Sequence, residues 1–196
     1  MQFRQFVSAL GTLFFVIAML PTAAGAETVD VAIVLAADVS RSIDDEEFHL
    51  QRQGYAAAVT SPRFLRAVQS GQRGAVALCL LEWASADQQA VVVKWMVIRD
   101  GEGASEFAKI LLETPRSFEG RTAIGAGIDF ASAQLDADGV TAERRIIDIS
   151  GDGTSNSGRS ETTARDEAVA KGITINGLAI INEKTGGTPE TFLYDK

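Results

Sequence analysis

The chain has one cysteine and one histidine among its 196 residues. A lone cysteine forms no internal disulfide, and with His49 as the only imidazole there is no set of soft ligands for a structural zinc. A catalytic Cys–His pair is disfavoured too, because Cys79 lies in an apolar run (75–81) that reads as a buried strand. Blocks of lysine or arginine are also missing, and the net charge is −8. Phosphate backbones would be repelled, so no nucleic-acid partner is expected. With 4 prolines, no repeat and no low-complexity tract, nothing divides the chain into two units. What remains is 46% hydrophobic and 22% charged, the balance of a globular domain with one core.

The N-terminus reads as a targeting segment. Arg4 supplies a positive start, residues 6–20 are mostly apolar, and Ala24-Gly25-Ala26 offers a small-x-small cleavage site before Glu27. An uncleaved membrane anchor is the alternative, since the stretch is almost long enough to cross a bilayer. The small-residue exit favours cleavage, and the absence of a cysteine there excludes a lipoprotein. The expected organisation is a signal peptide over 1–26 and a single domain over 27–196. The protein is expected to be secreted or periplasmic, with no membrane span left after cleavage.

Within that domain, residues 29–37 form a nearly continuous apolar run, as in a central strand covered on both faces. Asp44-Asp45-Glu46-Glu47 places acids in a helix first turn, where the positive end of the dipole favours them. That run is better read as a solvated helix start than as a metal site, and His49 inside the helix as a surface or boundary residue. Runs 74–83 and 89–98 are strand-like and joined by a short polar turn, which suits an antiparallel hairpin. Trp83 and Trp95 on these runs are expected to pack on the sheet. A helix is expected over 102–112, and Ile124, Ile128, Ala131 and Leu135 form a helical stripe. A strand over 144–150, a helix over 161–171 and a strand over 173–180 complete the pattern. The alternation predicts an α/β fold with an open, mostly parallel sheet, one antiparallel member and helices on both faces. The sequence stops soon afterwards, which implies a C-terminally incomplete domain lacking a last strand and helix, with an uncovered edge.

Three segments fall just beyond predicted strand ends or in adjoining loops: Asp38-Val39-Ser40-Arg41-Ser42, Glu119-Gly120-Arg121-Thr122 and Ser150-Gly151-Asp152-Gly153. Open α/β sheets bind ligands beyond the carboxyl ends of their strands, where strand order reverses. There Asp38, Ser40, Ser42, Thr122 and Asp152 would converge. All five offer oxygen, which selects Mg²⁺, Mn²⁺ or Ca²⁺, and hydroxyls with waters in six-fold geometry suit Mg²⁺ or Mn²⁺ best. Alternate residues 38, 40 and 42 in an extended turn can point the same way. Taken singly, each motif is as easily a turn or a helix cap. The polar segment 154–160 reads as a mobile rim of this site.

Asp-x-Ser-x-Ser, a Thr in a Gly-containing loop and a later Gly-Asp-Gly resemble the metal-ion-dependent adhesion site (MIDAS) of von Willebrand factor A-type (vWA) domains. The likeness spans residues 28–180, and more narrowly the chain resembles a family of secreted proteobacterial A-type proteins without assigned function. The resemblance implies a three-layer, Rossmann-like vWA fold. It assigns Ser40, Ser42 and Thr122 as hydroxyl ligands, and Asp38 and Asp152 as carboxylates binding directly or through water. A partner protein's acidic side chain would complete the metal shell, and no enzymatic chemistry is implied. Arg121 departs from the pattern, since many relatives carry glycine there. It could crowd the metal or pair with an incoming carboxylate. Two other functions compete with this reading. One is a metal-dependent hydrolase or phosphatase with Asp38 or a serine as nucleophile, though the chain has no Gly-x-Ser-x-Gly elbow and no Asp-x-Asp after the first strand. The other is a structural vWA domain that has lost its metal.

Overall fold

The computed structural model describes residues 27–137 and 139–180. The described residues form five strands and five helices in the order β1 (Glu27–Asp38), α1 (Asp45–Thr60), α2 (Pro62–Gln69), β2 (Val76–Trp83), β3 (Gln89–Ile98), α3 (Gly101–Glu113), α4 (Ile124–Asp136), β4 (Val140–Gly151), α5 (Glu161–Ala170) and β5 (Ile173–Ala179). The strands form one sheet in the order β3-β2-β1-β4-β5. β1 pairs in parallel with both β2 and β4, β5 is parallel to β4, and the hairpin strand β3 is antiparallel at one edge. The expected three-layer α/β sheet with one antiparallel edge strand is therefore present. The segments assigned to a signal peptide (1–26) and to the C-terminal end (181–196) lie outside the described residues. Among the described residues no helix is long and apolar enough to cross a membrane.

The continuous apolar runs explain the layering. β1 and β2 are central, so both of their faces must be covered, and all eight residues of β2 are buried. On one face Leu35, Leu78 and Leu80 pack against Ala56 and Val59 of α1 and Phe107 and Leu111 of α3. On the other, Val34, Leu81 and Ile147 pack against the stripe Ile128, Ala131 and Leu135 of α4 and against Ala164 and Ala168 of α5. Trp83 is fully buried in this second cluster, and its indole N–H donates to the Ala36 carbonyl at 3.1 Å. Trp95 packs at the edge of the same cluster, as expected.

The acids at 44–47 begin α1 as a capping box. The Asp44 carboxylate accepts from the Glu47 amide (2.8 Å), and Glu47 accepts in return from the Asp44 amide (2.9 Å). His49 is exposed on α1, edge-on to Phe48. Between β1 and β2 the sequence pattern indicated one helix, whereas the chain forms two. Pro62 has no N–H to continue α1, so the helix stops at Ser61. That residue then caps α2 by accepting from the Phe64 amide at 3.1 Å.

One charged pair lies within the apolar layers. Glu82 on β2 is fully buried and is ion-paired with Arg52 of α1, which is 2% exposed. The second Glu82 oxygen accepts from the Ser117 amide at 2.7 Å, and the Arg52 guanidinium sits 5.0 Å from the centre of the Phe48 ring. Removing one member of a buried pair leaves the other charge without compensation. Arg52→Met is expected to lower the unfolding free energy by about 3–5 kcal/mol in urea titrations. Adding Glu82→Gln should recover part of the loss, because the amide oxygen still accepts from Ser117 and carries no charge.

Candidate metal centre

The sheet order places the crevice. From β1 the chain builds to one side through β2 and β3 and returns on the other through β4. Loops leaving the carboxyl ends of β1 and β4 therefore diverge around one cleft. β1 ends at Asp38, which is fully buried. Its Oδ1 accepts from the Ser40 amide at 2.7 Å, folding the chain into a tight turn that brings Ser40 Oγ within 3.1 Å of Ser42 Oγ. Ser42 donates in turn to Asp152 Oδ1 at 2.7 Å, across 110 residues of sequence. Four of the five expected residues thus form one cluster at the expected strand ends.

Thr122 lies in the adjoining loop. It is buried, and the loops are joined where the Arg41 amide donates to the Gly120 carbonyl at 2.9 Å. The hydrogen bonds that link the other four residues do not include its hydroxyl. Its position is set instead by the segment expected as a rim. The Thr122 amide donates to Asn156 Oδ1 (3.0 Å), and its carbonyl accepts from the amides of Asn156 (2.8 Å) and Ser157 (3.1 Å). Asn156 is a positioning residue that the sequence reading did not single out. Its role is a contact across 34 positions that leaves no local pattern. Gly151 is another, since a β-carbon there would stand 3.1 Å from Asp38 Oδ2 and 3.5 Å from the Trp83 ring. Glycine lets the end of β4 close onto Asp38. Arg121 is exposed, with its amide held by Ser85 Oγ at 2.8 Å, and it lines a polar surface pocket together with Arg41.

The electrostatics of the cluster suit a cation. Burial pushes the Asp38 carboxyl up to about 6, against the hydrogen bonds from the Ser40 hydroxyl and amide, and the nearby Asp152 charge adds to the rise. Asp152 is also raised, by its partial burial, with the Ser42 hydroxyl opposing and the Glu47 charge adding. Asp38 Oδ2 is buried without a hydrogen-bond partner. A carboxylate oxygen kept from water and given no donor is costly unless a positive charge meets it. The donors around it are hydroxyl and carboxylate oxygens. Among the described residues no three His, Cys, Asp or Glu side chains are placed to hold a metal ion between them, so any ion held here would also rely on the serine and threonine hydroxyls. Cys79 is buried on β2 with its thiol pushed up to about 12, far from nucleophilic at neutral pH.

Known proteins share the family and the fold of this chain. The family described as "Protein of unknown function (DUF1194)" matches residues 28–194. No curated protein matches the chain. Among solved structures it is similar to proximal thread matrix protein 1 of the mussel byssus, in a form with a zinc-occupied MIDAS motif. That likeness has a TM-score of 0.64 at 19% identity, over 82% of this chain and 41% of the mussel protein. It is also similar to the pilus adhesin SpaC of Lactobacillus rhamnosus GG. Here the TM-score is 0.53 at 16% identity, over 77% of this chain and 24% of the adhesin. The chain therefore spans less than half the length of either protein. These neighbours are vWA-domain proteins, and the fold of this chain is vWA-like.

The raised Asp38 carboxyl has a measurable consequence in protein kept in excess EDTA. Folded Asp38 holds its proton up to about pH 6, whereas the unfolded chain releases it near the ordinary aspartate value of 3.8. Between those values the folded state binds more protons, so stability falls as pH rises, by about 3 kcal/mol in total from this group. Asp38→Asn should remove that part of the slope and, in EDTA, leave the variant more stable than the parent at pH 8 in urea unfolding.

Proposed function

We propose that this chain, which belongs to the DUF1194 family of proteins of unknown function, is an exported protein-binding module that engages its partner through a divalent cation. Asp38, Ser40, Ser42, Thr122 and Asp152 would hold the ion, with Mg²⁺ the best match and Mn²⁺ or Ca²⁺ the alternatives. The observation that carries this reading is the Ser40–Ser42–Asp152 hydrogen-bonded chain lying beside the unpartnered buried oxygen of Asp38. It is the donor set of a hard cation with more hydroxyls than charges.

When bound, the ion supplies an electrophilic centre able to accept a carboxylate from outside the protein. The chain's own residues orient and insulate that centre. The Ser40 amide fixes Asp38, Ser42 ties the β1 loop to the end of β4, and Asn156 fixes the Thr122 loop. Two carboxylates offset a divalent charge without exceeding it, so a partner's acidic side chain would complete the shell. A serine nucleophile would need a neighbouring base, and His49 stands exposed on α1 against Phe48 rather than among the hydrogen bonds of the cluster. Binding is the favoured reading over hydrolysis. Export rests on the sequence of residues 1–26.

Capture of envelope proteins from the source organism should require added Mg²⁺, disappear in excess EDTA and be lost in Asp38→Ala, while the circular dichroism of that variant stays folded. Equal capture by parent and variant with and without EDTA would overturn the proposal.

A further inference from the structure

Arg116, in the connection between α3 and α4, lies under the Asp38–Ser42 loop and is only 13% exposed. Its Nη2 donates to two successive carbonyls of that loop, Val39 and Ser40, each at 2.8 Å. The backbone around Ser40 is thereby fully occupied. The Val39 amide donates to the Trp83 carbonyl and the Ser40 amide to Asp38 Oδ1, while the Ser40 carbonyl also accepts from the Ile43 amide. Neither peptide group flanking Ser40 can rotate without breaking a hydrogen bond to Arg116. The Ser40 hydroxyl stands between the Asp38 carboxyl and Ser42 Oγ, 3.1 Å from the latter.

Arg116 is itself held firmly. Its guanidinium stands 5.8 Å from the centre of the Phe48 ring, which packs with Val39, Ile43 and Ala84 beneath the loop. Asp45 and Glu119 lie 3.9 Å from its Nη1. The next residue, Ser117, donates its amide to Glu82 of the buried Arg52 pair, so the segment is anchored to β2. Bonds from an ionised donor are roughly twice as strong as neutral ones, and here both come from the single Nη2.

We propose that Arg116 is a positioning residue for the metal centre, setting the loop's affinity for a divalent cation by locking the Val39 and Ser40 peptide groups. This rests on the reading that Asp38, Ser40 and Ser42 hold a metal. Residues that orient ligands from behind change metal affinity without touching the ion.

The test uses the full chain as parent, Arg116→Met, Arg116→Lys and a control, Arg145→Met, which breaks an ion pair to Asp136 at the end of α4. Calorimetric titration with Mg²⁺ and hydrogen exchange at the Ser40, Arg41 and Ile43 amides in stripped protein are the readouts. Arg116→Met should weaken Mg²⁺ binding by about 10- to 100-fold and speed exchange at those amides. Arg116→Lys should recover part of both, and Arg145→Met should leave both at parental values. Parental affinity and parental exchange in Arg116→Met would overturn the proposal. If the parent itself takes up no Mg²⁺, the metal reading fails separately and exchange alone decides: faster supports loop positioning by Arg116, unchanged overturns it. Should Arg116→Met not fold, Arg116→Gln carries the same comparison.

Discussion

A buried carboxylate with one oxygen satisfied and the other bare is the constraint around which the carboxyl edge of this sheet is arranged. Asp38 takes an amide from Ser40 on Oδ1 and has no partner on Oδ2. Packing makes the situation unavoidable: Trp83 and the end of β4 close over the residue, and glycine at 151 allows the closure. An isolated fold would be better served by an apolar residue or an asparagine there. Retaining an acid where burial opposes its charge is the kind of local cost that functional sites impose on stability.

The surrounding loops are not held by hydrophobic packing alone. A ladder of polar contacts runs from the core to the surface. The Arg52–Glu82 pair sits between α1 and β2, Glu82 grips the Ser117 amide, and the neighbouring Arg116 grips the loop that carries Ser40. Phe48 lies beside both guanidiniums, its ring 5.0 Å from one and 5.8 Å from the other. On the opposite side of the cleft, Asn156 and Ser157 do the same for Thr122 through its amide and carbonyl. Ser40 and Thr122 are thus presented by backbone whose hydrogen bonds are already made, which lowers the entropy lost when an ion is taken up.

Much of this was readable in the chain itself, for reasons that can be stated. β1 and β2 are legible because strands covered on both faces must be apolar throughout, and α4 because its stripe at 124, 128, 131 and 135 has one period only. The convergence of Asp38, Ser40 and Ser42 with Asp152 followed from a topological rule, once the strand order was inferred. Less visible was whatever depends on one side chain meeting a distant backbone. Glu82 sits in a run otherwise fit for a strand core, and its partner is 30 residues away. Arg116 reaches back across 76 and 77 positions, and Asn156 across 34. Such contacts have no periodicity. The break between α1 and α2 has a local signal of its own, Ser61-Pro62, a cap followed by a proline at the first helical position.

The central claim, that these oxygens enclose a single cation, can be examined residue by residue with a paramagnetic ion. Substoichiometric Mn²⁺ added to isotope-labelled protein should broaden the amide signals of Ser40, Ser42, Thr122 and Asp152 together, leaving those of Gln134 and Ile173 sharp. Broadening confined to the acidic start of α1, or none at millimolar Mn²⁺, would contradict it.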